Sequence, residues 1–300
     1  MLRVYKHKKS KIKNILFLVI LLSSFSLDLV SQNITDFYYQ LHRADLLVES
    51  GKLDSACILY DNACKNVTFI QSRILKKIIK VAKSSNNDDL VQYYKRKLKS
   101  QKDCPPQNVH ILKEIDQLFE LDQKVRSNKY WKAITYYNNH LNDTTLNHST
   151  KFLKSKELRD YAVSVDSINI LRMLNIIEQH GYLGEEDLGW NNHYKVKAIL
   201  LHFDRDTNSL ILEPILKNAL TNNKITPFTY THIVDRHLYN TSKTQRYWTW
   251  FLIDADPKLS QKEIERILKL REEIGLWGTE YSTSNYKGTW MLNNLSRSCY

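Results

Sequence analysis

Three hundred residues at 42% hydrophobic and 25% charged exclude a chain disordered throughout and leave room for one large domain or two smaller ones. Only 7 Gly and 5 Pro offer few sites for tight turns or bulges, so the expected fold class is all-α rather than sheet-rich. The formal net charge of +12 is concentrated early, with six cations against one anion in residues 1–31 and thirteen against eight in residues 32–105; with no zinc finger and no RNP signature, no nucleic acid is expected as a partner.

The first element is an address. MLRVYKHKKSKIK is a basic stretch, ILFLVILL an apolar core, and SSFSLDLVS ends on a small residue, the parts of a secretory signal. Residues 1–31 are therefore read as a signal peptide cleaved after Ser31, and the protein as exported, periplasmic or secreted. An uncleaved anchor is the alternative. The apolar run, with Asp28 near its end, is a little short of the roughly 20 residues that span a bilayer. No Cys follows it, which argues against a lipoprotein. Membrane contact is expected only through this leader, if it is retained.

Residues 32–104 carry the next pattern. In YQLHRADLLVESGKLDSACILYDNACKN, Ala44, Leu47, Gly51, Leu53, Ala56, Tyr60 and Ala63 resemble the helix-turn-helix of a tetratricopeptide repeat. Small residues let two antiparallel helices approach, and Gly51 ends the first by accepting a left-handed backbone. A degenerate second copy follows, with Asn86 and Asn87 at the turn before DDLVQYYKRKLK. The pattern departs at Gln40 and Arg43, where an aromatic and a Leu are expected, and no Pro closes the unit. What the resemblance implies is a groove for another protein. KKIIK and YYKRKLK read as solvated basic faces. Export permits disulfides among Cys57, Cys64, Cys104 and Cys299, with three connectivities if all pair. Cys57 and Cys64 lie about 10.5 Å apart along a helix axis, too far to bond each other.

Cys104-Pro105-Pro106 is the expected linker, because proline forces the residue before it out of helical geometry. A helical-bundle domain over residues 107–290 follows. HILKEIDQLFELDQKVR places Ile111, Ile115, Leu118 and Leu121 on one face, with Asp122 and Arg126 paired at i,i+4. NKYWKAITYYNNHLNDTTLNHST begins helical and ends loop-like. VDSINILRMLNIIEQHGY gives Val165, Ile168, Leu171, Leu174 and Ile177 as a core stripe, closed by Gly181. YKVKAILLHF, LILEPILKNAL, FTYTHIVDRHLY and LSQKEIERILKLREEIGL all have helical spacing.

Polar residues sit inside these apolar helices: Asp122, Gln123 and Arg126; Asp166 and Asn169; His202 and Asp204; Asp235 and Arg236; Gln245, Tyr247 and Thr249. Through LDQKVR, VDSIN, HGYLGEEDLGW, LLHFD, YTHIVDR, QRYWTW and REEIGL, about Ile111 to Leu276, the chain resembles a bacterial family of helical domains of unknown function. That resemblance implies a shared fold and a shared polar cluster, with no assigned activity. Two departures stand out. The family's Gly-Trp-Pro is Gly181-Tyr182-Leu183 here, and its Tyr-Gly-Thr-Gln is Tyr247-Trp248-Thr249-Trp250, which replaces a glycine and an amide by tryptophans.

Two readings of the cluster compete. In one, His202 is a general base oriented by Asp235, with Arg236 or Arg126 holding an anionic group. Asp122, Gln123, Arg126, Asp166, Asn169, Gln245, Tyr247 and Thr249 then complete a ligand site. In the other, these residues are hydrogen-bonded staples, because a buried charge without its partner costs about 3 to 5 kcal/mol. There is no G-x-S-x-G, H-E-x-x-H, G-x-x-x-x-G-K or G-x-G-x-x-G, so no metal and no cofactor is expected. HFDRDTNSL starts like a calcium loop but lacks the glycine and the closing glutamate. The expected role is protein interaction or ligand binding; the alternative is a cell-envelope hydrolase or transferase using the His, Asp and Arg cluster.

Overall fold

The computed structural model describes residues 34–103, 109–146, 148–205, 212–250 and 259–277. The expected signal peptide, the expected Cys104-Pro105-Pro106 linker, Cys299 and the Asp206 to Asn208 stretch lie outside the described residues. Among those residues the fold is all-α, without a strand. No described helix is long and apolar enough to cross a membrane.

The first body is two helical hairpins. Helix α1 (34–49) turns at Gly51, whose φ of +73° suits a residue without a Cβ, into α2 (Leu53–Lys65). The turn is closed by the Lys52 N–H donating to the Leu47 carbonyl at 2.8 Å. Helix α3 (Ser72–Ser84) pairs with α4 (Asp88–Asp103) across Asn86, also left-handed, and the Asn87 side chain accepts from the Leu90 N–H at 3.1 Å. Ala44, Ala56, Tyr60 and Ala63 are buried together with Phe37, Ile70, Leu75, Ile78 and Tyr94. Cys57 and Cys64 are buried free thiols, and burial pushes the Cys64 thiol up to about 11.

The second body holds α5 (Val109–Val125), α6 (Asn128–Asn139), α7 (Thr150–His180), the short α8 (Glu185–Leu188), α9 (His193–Leu200), a 3-10 turn (Leu201–Arg205), α10 (Leu212–Thr221), α11 (Pro227–Ser242) and α12 (Gln261–Glu273). Local chemistry sets the boundaries. Ser149 accepts from the Phe152 N–H to start α7, and Gly181 at φ +73° ends it. Thr226 caps α11 with Pro227 at its first position. Ser260 and Glu263 form a reciprocal capping box on α12.

Helix α7 departs from the expected stripe. Val165 and Ile177 are buried, but Ile168 is 53% and Leu171 is 68% exposed, while Asp166, Asn169, Ile170 and Met173 point inward. Apolar residues occupy two faces of this helix, so spacing alone does not choose between them. Polar partners decide. Asn169 donates to the Leu118 carbonyl at 2.9 Å and Asp166 meets Arg126, both on the α5 side.

The two bodies are docked. Glu185 of α8 accepts from the Ser72 N–H at 2.8 Å, placing a carboxylate on the first residue of α3, where free amide donors and the helix dipole favour it. Asn223 donates to the Phe69 carbonyl at 2.9 Å and accepts from the Tyr38 hydroxyl at 3.4 Å. Lys76 lies 3.9 Å from the centre of the Trp190 ring, and Tyr39 and Trp277 have ring centres 4.7 Å apart.

Candidate functional site

The expected polar residues divide into two adjoining groups. In the first, α5 brings Asp122 and, one residue past its end, Arg126; α7 brings Asp166, the 3-10 turn brings His202, and α11 brings Arg236. These elements pack on one another around the main core, with α5 against α7 and α9, and the 3-10 turn against α7 and α11. Arg126 is the hub. Its Nη2 lies 2.6 Å from Asp166 Oδ1 and 3.3 Å from Asp122 Oδ1, and its Nε donates to His202 Nε2 at 3.2 Å. Gln123 Nε2 donates to the other oxygen of Asp122 at 2.9 Å. On the far side of the ring, Arg236 Nη2 is 3.2 Å from His202 Nδ1. A neutral imidazole has one lone pair to offer, so only one of the two guanidiniums can be its donor at a time.

The layering of this group is chemical. Asp122 is buried at 1% exposure and Asp166 at 5%, whereas the side chains of Arg126 and His202 remain 25% and 19% exposed. Burial raises the Asp122 carboxyl to about 6, the nearby Asp166 adds to that, and Arg126, Gln123 and Arg236 pull the other way. His202 Nε2 is 3.7 Å from Asp122 Oδ1.

Asp235 does not orient His202, contrary to the expectation. It is fully buried, and both of its oxygens are occupied by the chain that follows α11. Oδ1 accepts from the Arg246 N–H at 2.8 Å and the Tyr247 N–H at 2.9 Å, and Oδ2 from the Thr249 N–H at 2.7 Å and the Thr249 hydroxyl at 2.8 Å. The histidine's neighbouring carboxylate is Asp122. Burial pushes the Asp235 carboxyl above its ordinary range against the pull of these donors. Trp248, between two of them, has φ +54°, a strained position for a bulky side chain. Gln245 accepts from the Trp250 N–H at 3.1 Å. This second group is a staple, and it has a consequence for the first: it fixes the Trp250 ring, over which Arg236 sits at 5.0 Å.

Three participants lacked a sequence signal. Arg271 of α12 is 1% exposed, feels the Asp235 charge, and has no hydrogen-bond partner at Nε or Nη1 among the described residues; burial lowers its hold on the proton. Glu213 pairs with Arg246 and accepts from the Tyr230 hydroxyl at 3.3 Å, anchoring the same turn to α10. His232 is wedged between the Phe228 and Trp250 rings, and burial lowers it to about 3, so it is neutral. Among the described residues no three His, Cys, Asp or Glu side chains gather as metal ligands. Comparison with family models, curated proteins and solved structures finds no match, so the site is read from its geometry.

Proposed function

We propose that this is an exported helical protein that binds a ligand bearing an anionic group at the Arg126, His202 and Arg236 face. One observation carries the reading: a titratable cluster drawn from four separate elements reaches solvent through a guanidinium and an imidazole, with its carboxylates buried beneath. The quarter-exposed Arg126 guanidinium is within reach of a group in solution while its carboxylate partners are not. The resemblance to the helical domain family of unknown function is supported by the backbone at Trp248, since the position where that family carries glycine is left-handed here. The buried small residues of α1 and α2 support a tetratricopeptide-like reading of the first body, and with it a surface for a macromolecular partner.

Thermal denaturation with inorganic phosphate, acetate and a phosphate monoester as probes tests the ligand reading. At least one probe raises the melting temperature of the wild type and loses that effect in Arg236→Met, which removes the guanidinium over Trp250 and beside His202 while leaving the Arg126 contacts to Asp122 and Asp166 in place. No response to any probe, or an equal response in the variant, overturns it.

The alternative of a hydrolase or transferase has its own observation: the Asp122 carboxyl, held at about 6, sits beside His202. A group poised near neutral pH suits proton transfer. Turnover of p-nitrophenyl acetate or p-nitrophenyl phosphate is then abolished in both His202→Ala and Asp122→Asn, and the rate profile of the wild type has a limb near pH 6. Turnover that survives either substitution rejects it.

A further inference from the structure

The ligand cluster leaves unused the most one-sided helix among the described residues. Helix α3 buries Leu75, Ile78, Ile79 and Ala82 and turns Arg73, Lys76, Lys77, Lys80 and Lys83 outward. At 100° per residue those five cations fall within an arc of about 120°, over about 15 Å of helix length. No acidic residue lies within α3. Lys77 is paired with Asp45, and Lys76 rests on Trp190. Arg73, Lys80 and Lys83 have no ion-pair partner among the described residues. Helix α4 adds exposed Lys95, Arg96, Lys99 and Lys102, likewise without one.

We propose that the outer face of α3 is a docking surface for an anionic lipid bilayer. Three features select that occupant. A protein partner needs an apolar or aromatic centre within its contact patch, whereas α3 itself turns out only cations and Ser84 and the neighbouring Trp190 ring is half-buried beneath Lys76. Single-stranded nucleic acid needs stacking rings between the charges, and α3 has no aromatic residue. Four of the five cations are lysines, compact charges suited to the diffuse field of an anionic surface rather than to bidentate recognition of one group. The chain also carries a bilayer-seeking run of its own. ILFLVILL ends at Leu22, and the eleven residues before α1 reach about 40 Å at most, so a retained leader tethers the start of α1 within that distance of a membrane.

Cosedimentation of the chain from Gln32 onward, which keeps every described helix, tests this without the leader. It binds vesicles rich in phosphatidylglycerol at low salt, is released by high salt, and ignores pure phosphatidylcholine. Neutralising three charges in Arg73→Gln, Lys80→Gln and Lys83→Gln weakens partitioning by about a hundredfold. The same charge change in Lys217→Gln, Lys262→Gln and Lys269→Gln on α10 and α12 has little effect. Equal binding to neutral vesicles, equal loss in the second set, or capture of a duplex oligonucleotide in preference to the anionic vesicles overturns the proposal. Unchanged circular dichroism and melting temperature establish that both sets remain folded.

Discussion

Asp235 holds Thr249 twice, through the backbone N–H at 2.7 Å and the side-chain hydroxyl at 2.8 Å, both on Oδ2. With the Arg246 and Tyr247 amides on Oδ1, one carboxylate on α11 closes the turn that follows it. Asp235→Asn puts a donor opposite two donors, and urea denaturation should show a loss of about 3 kcal/mol. Arg271 is the nearby buried cation, so Asp235→Asn combined with Arg271→Met should cost less than the sum of the two single changes. Strict additivity would mean that the two charges do not compensate each other.

The proton on Asp122 gives stability a pH dependence of definite sign. An acid raised from 3.8 to about 6 by folding holds an extra proton in the native state between those values. Stability therefore falls as pH rises from about 4 to 6, by on the order of 1 to 3 kcal/mol. In Asp122→Asn this component of the slope disappears. Chemical denaturation across that range, wild type against variant, measures it; parallel curves would show that Asp122 titrates normally.

At Trp248 the backbone rather than the ring should dominate. Its φ of +54° costs any residue with a Cβ about 1 kcal/mol or more relative to glycine. Trp248→Gly should therefore be more stable than Trp248→Ala by about 1 kcal/mol, the reverse of the usual order of these two residues. Thermal melts of the pair decide it.

Two neighbours at the start of α8 act by different means, Glu185 between the two bodies and Gly184 within the second. Glu185→Gln loses a charge-assisted contact with the first amide of α3 and should cost about 1 to 2 kcal/mol. At Gly184 a Cβ would stand 2.5 Å from the Lys224 carbonyl oxygen, so Gly184→Ala should cost about 1 to 3 kcal/mol by forcing that backbone apart. Hydrogen exchange of the Ser72 and Arg73 amides separates the cases, rising first in Glu185→Gln.

Whatever depends on neighbours along the chain could be read from the sequence. The turn at Gly51, the stop at Gly181, the capped start of α12 and the pairing of Asp122 with Arg126 are all set by residues within four or five positions. The gathering of Asp122, Arg126, Asp166 and His202 was also anticipated, since polar residues in apolar helices must find one another. The partners of Asp235 were not, because they are backbone amides 11 to 14 residues onward and no side chain announces them. Arg271 was hidden for a related reason: flanked by Glu272 and Glu273, it has the signature of a solvated helix end. Ile168 and Leu171 failed because α7 is apolar on two sides and only its polar contacts fix the rotation.

The last described turn of the chain lies against the first described helix. Gly275, at φ +80°, allows the end of α12 to lie on Thr35 and Tyr38, and the Trp277 ring covers Tyr39 and His42. A ribosome delivers the N-terminal residues of that seam well before the C-terminal ones. Until Trp277 has emerged, its ring contacts with Tyr39 and His42 cannot form, so this seam closes only after every described helix has been made.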